Sequence, residues 1–145
     1  SGLSCTSIAA RRDLRVVFHA TTTASTPQIL VNFNGDEGSN YVARTANNGA
    51  ADADSGATVA IIAQCTGTVT ADVSLWMSIT NLTANRKMEH SEMSHDGSNT
   101  VAPTRCTTDG HWNNTTAQIT RIDVRSGGAA TFSGGTRLTV YGKKD

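Results

Sequence analysis

Apolar and polar side chains alternate along most of the chain, and a period of two residues is typical of strands with one buried face. The alternation is clearest in residues 14–20, 28–33 and 70–80, where Trp76 falls on the polar side of its strand. Shorter or weaker strands are predicted for residues 41–45, 86–95, 100–107 and 110–113. The pattern therefore predicts a succession of short strands.

The stretch 116–141 shows the same alternation at both of its ends. Ile122 and Val124 alternate with charged residues, and Leu138 and Val140 do so after a connection that reads SGGAATFSGG. Glycine accepts the positive φ angles that tight turns need. We therefore predict that this stretch is a β-hairpin that closes the domain.

Three other segments stand apart from this alternation. Residues 57–64 form a nearly continuous apolar run, which predicts either a strand buried on both faces or a strand at an interface. Asn34-Gly35 follows the second strand directly and is a strong turn signal. Residues 46–56 lack periodicity, and we expect an exposed loop there.

Composition supports an all-β fold. Only 17% of the 145 residues are charged and 5% are aromatic, while Thr, which favours strands, and Gly and Asn, which favour turns, are frequent. The predicted fold is a single antiparallel β-sandwich, jelly-roll-like, over residues 13–145, with residues 1–12 as an N-terminal arm or an edge strand. A net charge of zero and the lack of a long apolar run argue against nucleic-acid and membrane partners.

Cysteine and histidine give little sign of a metal site. Cys5, Cys65 and Cys106 are widely spaced, so we expect three small buried thiols, with one disulfide plus one free thiol as the alternative. His90 and Glu92 would share a strand face, but no zinc signature surrounds them, and a solvated face is expected. We predict no metal and no cofactor.

No catalytic motif is present either. The chain has no GxSxG elbow and no phosphate-cradling loop, so a non-enzymatic protein is expected. A rival hypothesis is a glycan depolymerase, which would need two carboxylates facing each other across a cleft. The candidates for that role are Asp36, Glu37, Glu89 and Glu92.

Three large amphipathic side chains are candidate contacts for a ligand or partner: Tyr41, Trp76 and Trp112. Such side chains stack on sugars or anchor protein interfaces. The alternative is that each covers the core beneath a loop.

Three stretches resemble small structural proteins of tailed bacteriophages. They are RDLRVVFHATTT at residues 12–23, LVNFNGDEGSNYVAR at 30–44 and WNNTTAQITRIDVRSGGAATFSGGTRLTVYG at 112–142. The segment FNGDEGSNY and the ending TFSGGTRLTVYG carry the closest resemblance, whereas residues 46–108 match only in rhythm.

The resemblance implies a virion protein with a jelly-roll or β-sandwich core and gives no catalytic residue. We expect a capsid decoration (cement) protein on the outer surface of the head, bound to the major capsid protein and assembled as a homotrimer. Arg11, Arg12 and Arg15 are the candidate contacts with the capsid or with another subunit. The alternative is a receptor- or carbohydrate-binding module at a fibre tip, with a host-surface glycan as its partner.

Overall fold

The structure, a computed structural model, describes residues 2–22, 28–58, 60–64, 72–96, 102–127 and 130–143. Eleven strands and no helix occur in these residues. The strands are β1 (Gly2–Cys5), β2 (Asp13–Thr21), β3 (Gln28–Phe33), β4 (Tyr41–Asn47), β5 (Ala53–Thr58), β6 (Ile61–Gln64), β7 (Asp72–Thr80), β8 (Lys87–Asp96), β9 (Thr104–Trp112), β10 (Ile122–Ser126) and β11 (Arg137–Lys143).

The strands form two antiparallel sheets. One has the order β1-β10-β3-β6, and the other has the order β11-β2-β7-β8-β9-β4-β5. The chain changes sheet after β1, β2, β3, β5, β6, β9 and β10, and this repeated crossing winds it around the core as in a jelly roll. The prediction of an all-β, jelly-roll-like sandwich is confirmed.

The core lies between the two sheets, and β2 and β7 bury the faces that their alternation predicts. On β2 every second side chain from Leu14 to Ala20 is at most 2% exposed, and β7 buries Val73 to Ile79 in the same way. At one end of the sandwich, the rings of Phe33, Tyr41 and Trp112 pack together, with centroids 5.8–6.3 Å apart.

The prediction of a hairpin over residues 116–141 is wrong, because its two strands do not pair with each other. β10 lies in the four-stranded sheet between β1 and β3, whereas β11 pairs with β2 at the edge of the other sheet. β10 buries Ile122 and Val124 as predicted, and Leu138 and Val140 of β11 are partly buried against the core, but the connection crosses from one sheet to the other. Gly128, one of the predicted turn residues, lies outside the described residues.

Two predicted strand boundaries also change. The apolar run 57–64 is divided between β5 and β6, which belong to different sheets, and Val59 lies outside the described residues. The two short strands predicted between residues 100 and 113 are one continuous strand, β9, because its backbone pairs without interruption with β8.

The N-terminal segment belongs to the domain. β1 is the edge strand that was one of the two predicted alternatives, and it pairs with β10. Beyond β1, the Ile8 amide donates to the Thr120 carbonyl at 2.9 Å. The Asn81 side chain and amide donate to the carbonyls of Arg11 and Arg12 at 3.0 and 2.6 Å.

The segment FNGDEGSNY forms a connection that is bound together by Asp36. Asn34 and Gly35 have positive φ angles of 54° and 69°, and the Asp36 amide donates to the Phe33 carbonyl at 2.9 Å, which closes the predicted turn. The Asp36 carboxylate accepts hydrogen bonds from Trp112 Nε1 at 2.7 Å, the Gly38 amide at 2.8 Å and Asn40 Nδ2 at 2.9 Å.

These bonds set the charge state of Asp36. Partial burial would raise the pKa of this carboxyl, but the donors on Trp112, Gly38 and Asn40 outweigh burial and hold the pKa below its usual value. The Tyr41 hydroxyl completes the connection by donating to the Asp36 carbonyl at 3.1 Å. The motif that carries the phage resemblance therefore has a structural role here.

The inward face of β8 is unusually polar for a core strand. Its buried residues are Lys87, Glu89, Ser91, Met93 and His95. The Lys87 ammonium donates to the carbonyls of Asn85 and Asn114 at 2.7 and 2.9 Å. Within the described residues, by contrast, neither carboxyl oxygen of Glu89 has a hydrogen-bond partner.

Gly110 makes room for the Glu89 carboxyl. A Cβ at position 110 would lie 2.7 Å from Glu89 Oε1, so no larger residue fits beside this side chain. Burial raises the pKa of Glu89 to about 8, the nearby Ser91 hydroxyl lowers it, and the charge of Asp109 raises it. Glu89 is therefore a buried carboxyl that holds its proton at neutral pH.

The cysteines differ from the expectation of three buried thiols. Cys106 is disulfide-bonded and 2% exposed, and Cys5 is a free, half-buried thiol on the edge strand β1. Cys65 lies outside the described residues. One disulfide with a free thiol was the alternative arrangement.

Candidate functional site

The seven-stranded sheet presents one continuous face to solvent, which we call the outer face. It consists of every second side chain of β11, β2, β7, β8, β9 and β4. One row across this face, with one residue from each strand, contains Tyr141, Arg15, Ser78, His90, Asp109 and Arg44. Directly opposed residues in such a sheet have Cβ atoms about 5 Å apart, so neighbours in this row interact.

The exposed large apolar side chains of the described residues all lie on the outer face. They are Val17 at 40%, Trp76 at 38%, Met88 at 54% and Tyr141 at 60% exposure. Single exposed apolar side chains are common on protein surfaces, but several on one face mark an interaction surface. The outer face is therefore the candidate functional site.

Trp76 lies at the centre of the outer face between two polar groups. The Arg15 guanidinium carbon is 5.8 Å from the centroid of its ring, which is within the range of a cation–π interaction. The His90 ring approaches from the other neighbouring strand, edge-on, with centroids 5.9 Å apart. Arg15 and His90 thus hold the indole in place while part of it stays exposed.

His90 is oriented by two acidic residues on the same face. Its Nδ1 lies 2.7 Å from Asp109 Oδ1 on β9, and its Nε2 lies 4.0 Å from Glu92 Oε1. All three side chains are substantially exposed, so water screens their charges. The arrangement gives the face a fixed polar cluster beside Trp76.

An open groove with a volume of about 740 Å³ runs across one end of the outer face. That volume is within the range of small-ligand sites. Its side-chain lining combines an aromatic ring, a thioether, charged groups and hydroxyls: Tyr141, Met88, Arg15, Lys143, Asp13, Asp109, His90, Ser78 and Thr80.

Of the three aromatic residues predicted to contact a ligand or partner, only Trp76 is exposed. Tyr41 and Trp112 are at most 1% exposed. Tyr41 donates to the Asp36 carbonyl, and Trp112 donates to the Asp36 carboxylate. As contact residues these two predictions are wrong, because their polar atoms bind the connection that covers the end of the core.

The three predicted arginine contacts are separated by the fold. Arg15 lies on the outer face beside Trp76. Arg12 is exposed just before β2, and the Arg11 side chain lies so close to Gly142 that a Cβ there would be only 2.4 Å from Arg11 Cγ. Arg15 is thus the only member of this set that the structure places beside a predicted aromatic contact.

The four carboxylates of the depolymerase hypothesis do not face one another. Asp36 binds Trp112, Glu37 forms an ion pair with Arg125 of the four-stranded sheet at 2.9 Å, Glu89 is buried and Glu92 lies on the outer face. These four side chains occupy different parts of the molecule, so they form no catalytic pair across one cleft.

Ser78, His90 and Asp109 share a row and have the residue types of a catalytic triad. Two features that acyl transfer requires, a hydrogen bond from serine to histidine and free backbone amides for an oxyanion, are missing from this part of the described chain. Ser78 makes no hydrogen bond to His90, and the backbone amides of β7, β8 and β9 are committed to strand pairing on both sides. Nor do any three His, Cys, Asp or Glu side chains of the described residues cluster as metal ligands would.

Comparison of the chain with protein-family models finds no matching model, and comparisons with curated proteins and with solved structures find no match. Across the described ranges there is no helix with the length and apolarity needed to span a bilayer.

Sequence reasoning missed Tyr141, Met88 and Asp109 as members of the site. The alternation places Tyr141 and Met88 on the solvent side of their strands, and this signal was available, whereas Asp109 fell between two predicted strands. What alternation cannot give is the lateral order of the strands, and these residues come together only because β11, β2, β7, β8 and β9 are neighbours.

Proposed function

We propose that the protein is a non-enzymatic virion structural protein, a capsid decoration protein that binds the major capsid protein on the outer surface of a phage head. The observation that carries this proposal is the outer face, where Trp76, Tyr141, Met88 and Arg15 are exposed together. Tryptophan, tyrosine, methionine and arginine are the residue types enriched in protein interfaces. The resemblance of three stretches to phage structural proteins supports the proposal that the protein is part of a virion.

Virion labelling tests the location directly. The labelled protein is expected at regular positions over the head, and its binding should raise the melting temperature of the capsid, because a ligand that binds only the assembled state stabilises it. Label confined to tail or fibre tips, or absent from particles, would contradict the proposal.

A Trp76→Ser variant tests the surface. Central aromatic residues dominate interface energetics, so occupancy on the capsid is expected to fall by about tenfold or more. Glu37→Gln is the matched control, because Glu37 contacts the four-stranded sheet and lies away from the outer face. Equal loss in both variants, or in neither, would remove the outer face from the proposal.

A second candidate function is carbohydrate binding at a fibre tip, and the groove favours it. Tyr141 offers an exposed ring, and the His90–Asp109 pair offers oriented hydrogen-bonding groups, which is the combination that binds a sugar ring. A glycan array is the test: a bound glycan whose affinity falls about tenfold in Tyr141→Ala and Asp109→Asn would support this function. An array without binding would exclude the glycans that it carries.

A further inference from the structure

We propose that the outer face is covered in solution by the outer face of a second copy of the chain, related to the first by a twofold axis. This inference rests on the proposal that the outer face is an interaction surface, and it names the partner of that surface. Dimer formation and attachment to a capsid are then competing uses of one face.

The two halves of the outer face carry opposite charge. The strands β11 and β2 present three cations and one anion, namely Arg15, Arg137, Lys143 and Asp13. The strands β8, β9 and β4 present three anions and two cations, namely Glu92, Asp96, Asp109, Arg105 and Arg44, and β7 between the halves adds the anion Asp72. Trp76 lies between the halves on β7. A face of this kind is complementary to itself.

The strand register defines which residues would meet. Arg15, Ser78, His90 and Asp109 occupy one row across β2, β7, β8 and β9, with neighbouring strands about 4.8 Å apart. An axis parallel to the strands, between β7 and β8, lays β2 of one copy over β9 of the other. Arg15 then lies over Asp109 of the second copy and Asp72 lies over Asp96 of the second copy, and each contact occurs twice.

This arrangement favours a dimer over the expected trimer. A closed trimer joins two different surfaces of each chain, whereas a twofold contact uses the same surface on both chains. The outer face carries both charges and the apolar centre within one surface, so it satisfies the twofold requirement by itself.

The face is large enough for a stable contact. The six strands from β11 to β4 have seven to ten residues each and give on the order of 800 Å² per copy, from the standard strand spacing and rise. Stable interfaces of standard size bury about 800 Å² per partner.

The test is the mass of the full chain in solution, measured by light scattering over a concentration series. The wild type is expected to be a dimer. Arg15→Asp and Asp109→Arg should each weaken it about tenfold or more, because each places like charges opposite one another, and the weakening should shrink at high salt. The double variant restores opposite charges and should recover the dimer to within about threefold of the wild type. Glu37→Lys reverses a charge away from the face and should change nothing.

A monomer at all concentrations, a trimer, or a dimer indifferent to both single changes would overturn this inference. A double variant no better than the two single variants would do the same. Melting curves of the four variants establish that each is folded, and all altered side chains are exposed. Capsid labelling is independent of this measurement, so loss of the dimer with intact head labelling would overturn the second copy while leaving the proposed function standing.

Discussion

An Asp36→Ala variant is expected to lose about 3 kcal/mol of its free energy of unfolding, because bonds to a charged acceptor contribute about 1.5–3 kcal/mol when partly buried. The variant removes the acceptor of the Trp112 indole N–H, whose residue is 1% exposed, and the acceptor of the Gly38 amide. A buried donor without a partner loses its solvation and gains nothing in return. Urea unfolding measures the difference.

The neighbouring Glu37 provides the control for this prediction. Its carboxylate forms an ion pair with Arg125, and its own side chain is 70% exposed, so Glu37→Ala should change stability by less than about 1 kcal/mol. Asp36→Asn keeps an acceptor oxygen without the charge and should fall between wild type and Asp36→Ala. If Asp36→Ala were as stable as Glu37→Ala, the Asp36 connection would not hold the end of the core together.

Raising the pH from 4.5 to 8 is expected to lower the free energy of unfolding by on the order of 4 kcal/mol, through Glu89. In this range the folded protein keeps the proton on Glu89, because burial raises its pKa to about 8, while the unfolded chain releases it near pH 4.5. The folded state therefore binds more protons than the unfolded state, and stability decreases as protons are withdrawn.

A Glu89→Gln variant is the sharpest test, since it has nearly the same shape and does not titrate. Its stability should be almost constant over this pH range and should exceed that of the wild type at pH 8. Glu92→Gln is the matched control, because Glu92 lies on the exposed face of the same strand and this variant should retain the decrease. Parallel profiles for wild type and Glu89→Gln would falsify the assignment.

Asp36 acts in the opposite direction at lower pH. Its hydrogen bonds hold the pKa below the usual value of 3.8, so its contribution is present above that pH and is lost as the pH falls through the lowered pKa. Taken with Glu89, this places the greatest stability in mildly acidic solution. The free energy of unfolding, measured against pH for Asp36→Asn and Glu89→Gln, separates the loss of stability at low pH from the loss at high pH.

Alternation predicted the buried faces of β2, β3 and β7, because a side chain's side of a strand depends only on its position in that strand. It did not predict which strands are neighbours. Ile122 and Val140 were assigned to one hairpin and lie in different sheets, since glycine-rich connections permit either outcome.

The candidate site was predictable only in part for the same reason. Trp76 was correctly placed on the solvent side of its strand, and Arg15 was selected separately, but their contact requires that β2 and β7 pair. Tyr41 and Trp112 were misplaced because an amphipathic ring is equally suited to a surface and to a buried site with a polar partner. Their partner, Asp36, follows the Asn34-Gly35 turn, where an aspartate side chain is expected to bond its own backbone and not a distant ring.

The position of β10 between β1 and β3 fixes the order in which the sandwich can be completed. The strands β7, β8 and β9 follow one another directly and pair as neighbours, and their outer partners β2 and β4 precede them, so all of these pairings are possible by residue 112. Within the described residues, β1 pairs only with β10, so this pairing cannot form until residues 122–126 have been synthesised. During synthesis more than a hundred residues therefore separate β1 from the strand with which it pairs. Closure of the four-stranded sheet is then a late event between residues distant in sequence, and such events slow folding.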